Sequence, residues 1–198
     1  MGLAEIARRV QSGGRPAAVK RHTTLCMTTR QIILMTCGYL TALIAVAYLT
    51  RATALRLVGA GVGGAAAGLM ILGVVALGNS LGLWQVPFAA APYFVSLMYL
   101  SLAVSCTPIY LITWRVARRF ERRGLAIFLG AVAVVGPLRD YWYAVMFPAW
   151  IVFAPGLAPV LAVAASYVGM VSLGHGVMRL LAGPAGGDRL ARRPRGPT

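Results

Sequence analysis

Five long apolar runs dominate the sequence, and short polar segments separate them. The runs cover residues 31–50, 57–77, 88–114, 124–145 and 158–181. Each contains roughly 20 residues or more, the helix length that crosses the hydrocarbon core of a bilayer. Because a backbone in lipid must satisfy its hydrogen bonds within the segment, apolar runs of this length predict helices. The pattern predicts an all-α fold, a polytopic transmembrane helical bundle with about five membrane-spanning helices.

Two basic tails flank the predicted transmembrane domain of residues 31–181. Residues 1–30 contain a short apolar pattern of Leu3, Ile6, Ala7 and Val10. That pattern predicts either a surface amphipathic helix or a disordered, solvated tail. Residues 182–198 predict a disordered basic tail. Some thirty polar and basic residues precede the first apolar run, so we expect no cleavable signal peptide and retention of the first helix.

The second apolar run is unusually rich in glycine. Gly59 with Gly63, and Gly64 with Gly68, form two pairs of small residues four positions apart. Pairs with this spacing let the backbone of another transmembrane helix approach closely. We predict that this face makes the tightest helix contact, either within the chain or with a second copy or partner membrane subunit.

The composition excludes an ordinary soluble domain. Hydrophobic residues make up 59% of the chain and charged residues 12%, whereas soluble domains are about one quarter charged. The net charge is +15, but no basic face is interleaved with stacking aromatics, so we predict no nucleic acid partner. The expected partners of the basic segments are the lipid bilayer and its anionic lipid headgroups. Because arginine far outnumbers lysine, we expect a GC-rich bacterial genome and a bacterial inner membrane.

The arginine clusters give conflicting predictions of orientation. Five arginines within residues 115–123, together with those of the C-terminal tail, predict a cytoplasmic location for both segments. Counting five crossings backward then places the N-terminal tail outside, although it is also basic. The alternative is four crossings plus an in-plane or re-entrant segment, with residues 31–50 as the candidate.

Asp140 and Arg139 are the main candidates for chemistry, because ionisable groups within a bilayer are costly and usually functional. One interpretation is that they cap the outer end of the fourth helix. The other is an outward-facing pocket for a lipid headgroup or an amphipathic small molecule, with Asp140 as acid or base and Arg139 binding an anion. The predicted substrate-binding residues of that pocket are Asn79, Trp84, Gln85, Tyr93, Tyr141, Trp142 and Tyr143.

The sequence predicts neither a metal site nor a cofactor. His175 is the only histidine in an apolar run, and Cys37 and Cys106 do not have metal-ligand spacing. A phosphate-binding glycine loop and a nucleophile elbow are also absent. Three hypotheses follow: a non-catalytic scaffold, assembly factor or accessory subunit; a small membrane enzyme acting on a lipid or isoprenoid; or an oligomeric small-solute permease.

Overall fold

The computed structural model describes residues 29–86, 92–148 and 150–184. Its elements are α1 (Thr29–Thr50), α2 (Ala54–Ser80), β1 (Trp84–Gln85), α3 (Pro92–Met146), β2 (Val152–Phe153) and α4 (Leu157–Ala182). Four helices in these ranges are long and apolar enough to span a membrane. The prediction of a helical, multi-pass membrane protein is confirmed. The two tails lie outside the described residues except at 29–30 and 182–184.

The predicted number of five spanning helices is wrong, because the third and fourth apolar runs belong to one helix. α3 contains 55 residues, and Glu121 is the residue inside it whose backbone is not helical, with φ 54° and ψ −144°. Arg139 and Cys106 line one cavity, although a straight helix would separate them by about 50 Å. α3 therefore reverses at Glu121 and forms two antiparallel limbs, a first limb of residues 92–120 and a second limb of residues 122–146.

The reversal is tight because no separate loop joins the limbs. A positive φ at a residue with a side chain costs about 1 to 3 kcal/mol, so packing elsewhere must hold the turn. Phe128 and Val132 of the second limb pack against a buried cluster that includes Tyr110 and Leu111 of the first limb. This contact fixes the two limbs side by side. Pro108 lies inside the helix of the first limb.

α2 is the central helix of the bundle, and glycine brings it into backbone contact with its neighbours. A Cβ at Gly63 would lie 2.6 Å from the carbonyl oxygen of Gly174 in α4. A Cβ at Gly64 would lie 2.5 Å from the carbonyl oxygen of Ala103 in the first limb. Both distances are shorter than any normal contact, so side chains cannot be accommodated there without movement.

The other two predicted packing glycines also face helices of the same chain. Gly59 faces Met178 of α4, and Gly68 faces Tyr99 and Ala103 of the first limb. The four glycines are thus occupied by contacts within one chain. By contrast, only three of the 22 residues of α1 are buried, namely Ile32, Thr36 and Thr50. α1 is the peripheral helix.

The two ends of the bundle differ in chemistry. At the aromatic end, the segment after α3 pairs with the segment after α2, so that Trp84 lies opposite Phe153 in a short antiparallel ladder. At the basic end, Arg56 of α2 approaches the end of α4, where its guanidinium donates to the carbonyl oxygens of Gly183, at 2.7 Å, and Pro184, at 3.2 Å. The arginines on either side of the α3 reversal lie at this same end.

Candidate functional site

Arg139 and Asp140 form a bonded network with a tyrosine of another helix. The Nε and terminal nitrogen of Arg139 both donate to Oδ1 of Asp140, at 3.1 and 2.9 Å. The hydroxyl of Tyr167 in α4 donates to the same oxygen at 2.8 Å and also accepts from Arg139. One carboxylate oxygen thus serves as the acceptor for donors from two helices. We call these three residues the Arg139 network.

The local sequence explains how the network assembles. Gly136 lies one helical turn before Asp140, and the ring of Tyr167 occupies the space that a side chain at Gly136 would need. Neighbouring residues on a helix do not normally face each other, but the long side chain of Arg139 turns back to reach Asp140. Its guanidinium also lies over the rings of Tyr143, at 5.8 Å, and Tyr167, at 5.3 Å.

The network lies inside the second limb and not at its end. Arg139 precedes Met146, the last residue of α3, by seven positions, which corresponds to about 10 Å along the helix axis. The side chain of Arg139 is 48% exposed and that of Asp140 is 25% exposed. In a bilayer this pair of opposite charges would lie below the end of the helix, facing a cavity.

That cavity has a volume of about 200 Å³ and is formed by α1, α2, both limbs of α3, α4 and the short ladder. Besides the Arg139 network, its lining is mostly apolar and includes Ile71, Val74, Leu102 and Val163. Drug-sized ligands generally occupy pockets of about 300 to 1,000 Å³. The cavity therefore matches a small group or a few water molecules better than a lipid headgroup.

The predicted pocket residues divide between three places. Trp84 lines the cavity with Arg139 and Asp140, and its Nε1 donates to the carbonyl oxygen of Val75. Asn79 and Gln85 line a separate surface depression. The remaining residues occur at the surface or against the loops.

Among these, Tyr93 is 58% exposed and Trp142 is 56% exposed. Tyr141 stacks on Phe153 with ring centroids 4.3 Å apart. Tyr143 is half-buried beside Arg139. The structure therefore brings Trp84 and Tyr143 to the charged pair and leaves the other five apart from it.

Sequence reasoning missed several residues of the cavity. Tyr39, Ser105, Cys106, Ser166 and Tyr167 contribute its other polar groups. Cys106 Sγ lies 3.5 Å from the sulfur of Met170. The described residues contain no cluster of three or more histidine, cysteine or acidic side chains that could hold a metal ion. An isolated tyrosine in an apolar run carries no pattern that would identify it as a partner of Asp140.

A second cluster of polar residues lies at the basic end. A pocket of about 600 Å³ is lined by residues of α2, both limbs of α3 and α4, among them Arg56, Trp114, Arg122, Arg123, His175 and Arg179. Arg56 lies 5.2 Å over the ring of Trp114 and is only 5% exposed. This basic pocket was not predicted, because its arginines come from three separate stretches of sequence.

The two clusters have different chemical capacities. The Arg139 network is neutral as a unit, since Asp140 balances Arg139 and Tyr167 completes the hydrogen bonding. The basic pocket carries an excess of positive charge and suits an anion. Comparison of the chain with protein-family models, curated proteins and solved structures gives no match.

Proposed function

We propose that this chain is a non-catalytic component of a membrane, namely a scaffold, assembly factor or accessory subunit. The observation that supports the proposal is the shared oxygen of Asp140, which accepts from Arg139 and Tyr167. Glu121 and Asp140 are the acidic residues of the described ranges, and Glu121 is at the exposed turn. Acid–base chemistry within the bundle would therefore depend on a carboxylate that already has three donors.

Such a network acts as a polar contact between helices. It joins the second limb of α3 to α4, where the apolar surfaces of two transmembrane helices provide little preference for one rotation over another. Breaking the pair would leave Arg139 without its counter-charge. The network accordingly favours a structural role in keeping the bundle in one arrangement.

The peripheral helix α1 has an exposed apolar surface that a partner could contact. Ile44 is 70% exposed, Tyr48 is 83% exposed and Leu34 is 63% exposed. The glycine face of α2 is already occupied within the chain, so a membrane subunit or a second copy would more readily contact α1. The basic end would lie at the cytoplasmic face of a bacterial inner membrane, where anionic lipid headgroups attract arginine.

The alternative is an enzyme acting on a lipid or isoprenoid, and one observation favours it. Arg139, Asp140 and Trp84 line the same cavity, which is the arrangement expected of a small polar site in an apolar surrounding. In that case Asp140 would be the acid or base and would act through Oδ2, because the donors from Arg139 and Tyr167 all bond to Oδ1.

Removal of both charges distinguishes these two functions. The gene would be deleted in its host and complemented with the wild type, with Asp140→Asn, or with the double variant Arg139→Met and Asp140→Leu. A scaffold is expected to work with the double variant, because charged groups are costly within a bilayer and replacing the pair by apolar residues of similar size removes that cost. Native electrophoresis of membrane complexes and mass spectrometry of lipid extracts measure the outcome.

The matched control is Trp142→Leu, an exposed residue near the same turn but outside the network. Restoration of the wild-type complexes by the double variant supports the non-catalytic function. Accumulation of one lipid species in both Asp140 variants, with normal protein levels, would instead identify an enzyme.

A further inference from the structure

Two cavities flank the reversal of α3 at Glu121. One is the basic pocket of about 600 Å³. The other is a groove of about 520 Å³ along the outer surface of the two limbs, and apart from Arg123 its lining is apolar. Phe120 and Arg123 line both cavities. A charged compartment and an apolar compartment are therefore adjacent at the basic end of the bundle.

The basic pocket contains donors that the protein does not use. Arg122, Arg123 and Arg179 make no hydrogen bond or ion pair with residues of the described ranges, and each is exposed. Trp114 is fully buried, and its Nε1 has no hydrogen-bond partner among the described residues. A buried N–H without a partner is unfavourable. Glu121 is the one carboxylate in the lining.

The bonding of His175 adds a further polar group. Thr113 uses its hydroxyl hydrogen to donate to the carbonyl oxygen of Tyr110 at 2.9 Å. Its oxygen must therefore accept from Nδ1 of His175, which lies 3.2 Å away. This arrangement assigns the hydrogen of a neutral imidazole to Nδ1. Nε2 is then left to accept from a hydroxyl, or to donate when the ring is protonated.

The apolar groove has the composition expected of a surface that contacts an acyl chain. Its lining includes Val116, Phe120, Ile127 and Phe128, together with the small residues Gly124 and Ala131. Ile127 is 74% exposed. Phe120 separates this groove from the basic pocket while contacting both.

We propose that the two cavities together bind one anionic phospholipid. The phosphate would occupy the basic pocket between Arg122 and Arg179, and one acyl chain would lie in the groove past Phe120. Charge complementarity and the adjacency of the two cavities, which share Phe120 and Arg123, favour a lipid over a free phosphate, which would leave the groove empty. This site deepens the general attraction of the basic end to anionic lipid proposed above.

Native mass spectrometry of the full-length chain tests the site. The purified protein in detergent would be titrated with phosphatidylglycerol or with phosphatidylcholine of the same acyl chains. We expect a preference of at least about tenfold for phosphatidylglycerol. The double variant Arg122→Gln and Arg179→Gln should remove most of it, since each arginine near an anionic lipid contributes about fivefold in affinity.

The matched control is the double variant Arg30→Gln and Arg51→Gln, which removes the same charge from exposed positions outside the pocket. It should keep a preference within about threefold of the wild type. If both double variants reduce the preference equally, the specific site is wrong while general attraction to anionic lipid stands. If the wild type shows no preference over phosphatidylcholine, general attraction fails as well.

A third variant tests the groove. Ala131→Phe should fill the groove and weaken phosphatidylglycerol binding by at least about fivefold, without changing the elution volume of the folded protein in detergent. Inorganic phosphate should compete with the lipid only at more than about a hundredfold excess. Competition by phosphate at equal concentration, or unchanged binding to the Ala131→Phe variant, would overturn the contribution of an acyl chain.

Discussion

The Arg139 network and the basic pocket both contain arginine, but its charge is neutralised in the network and left in excess in the pocket. In the network, Asp140 neutralises Arg139, and Tyr167 occupies the carboxylate further. In the basic pocket, four arginines face one carboxylate, that of Glu121. Balanced charge within a bundle stabilises one arrangement of helices, whereas excess charge at its end attracts an external anion.

The surroundings of the two clusters reinforce this difference. The network lies about 10 Å inside the end of α3, where opposite charges interact strongly because little water screens them. Arg122, Arg123 and Arg179 are exposed, so salt screens them. Removal of the acidic residue should therefore have large effects in one cluster and small effects in the other.

The largest expected effect is that of Asp140→Leu. The substitution leaves Arg139 without its counter-charge and should lower the free energy of unfolding by about 3 kcal/mol. Adding Arg139→Met should restore most of this loss. Unfolding in mixed micelles by titration with sodium dodecyl sulfate measures both. The matched variant Glu121→Gln in the basic pocket should change stability by less than about 0.5 kcal/mol, and equal losses in the two clusters would contradict the comparison.

A smaller effect is expected for Gly63→Ala. Gly63 lies on α2 between Arg56 of the basic pocket and Ile71 of the cavity beside the Arg139 network. Its new methyl group would press on the Gly174 carbonyl and should cost about 2 kcal/mol. Gly61 has no atom within 4 Å of a Cβ, so Gly61→Ala serves as the control and should be neutral or slightly stabilising. The same unfolding measurement applies, and an equal response of both variants would show that α2 and α4 are not in backbone contact.

The smallest effect is that of salt. Raising the ionic strength from about 0.1 M to about 1 M shortens the Debye length from about 10 Å to about 3 Å. The stabilisation that phosphatidylglycerol gives the wild type should fall by about 1 kcal/mol, whereas the difference between wild type and Asp140→Leu should change by less than about 0.5 kcal/mol. A salt-sensitive network together with a salt-insensitive pocket would reverse the assignment of their roles.

The helices could be predicted from sequence to within a few residues wherever lipid dictates their length. The runs predicted at 57–77 and 158–181 correspond to Ala54–Ser80 and Leu157–Ala182. The helix count failed at residues 115–123, where polarity indicates a loop. Arginine and glutamate are good helix formers, and here the helix continues to Glu121 and resumes at once.

The candidate site was predictable only in part, for a similar reason. Asp140 and Arg139 are conspicuous because charge is rare in apolar runs. Tyr167 lies 27 positions from Asp140 on another helix, and its arrival there depends on the rotation of α4 against the second limb. A helix that is apolar on all sides does not show in its sequence which face contacts a neighbour. For the same reason, the sequence does not show which arginines meet in the basic pocket.

The reversal at Glu121 also makes the direction of each side chain in the second limb depend on the number of residues that follow the turn. Because no loop absorbs a change in length, inserting one residue in the helix between Glu121 and Arg139 would turn all that follows by about 100° and advance it by about 1.5 Å. Asp140 would then point away from Tyr167, and Gly136 would no longer accommodate the tyrosine ring. Substitutions on the lipid-facing side of this limb would leave the direction of Asp140 unchanged, whereas a change in the number of residues between Glu121 and Asp140 would alter it.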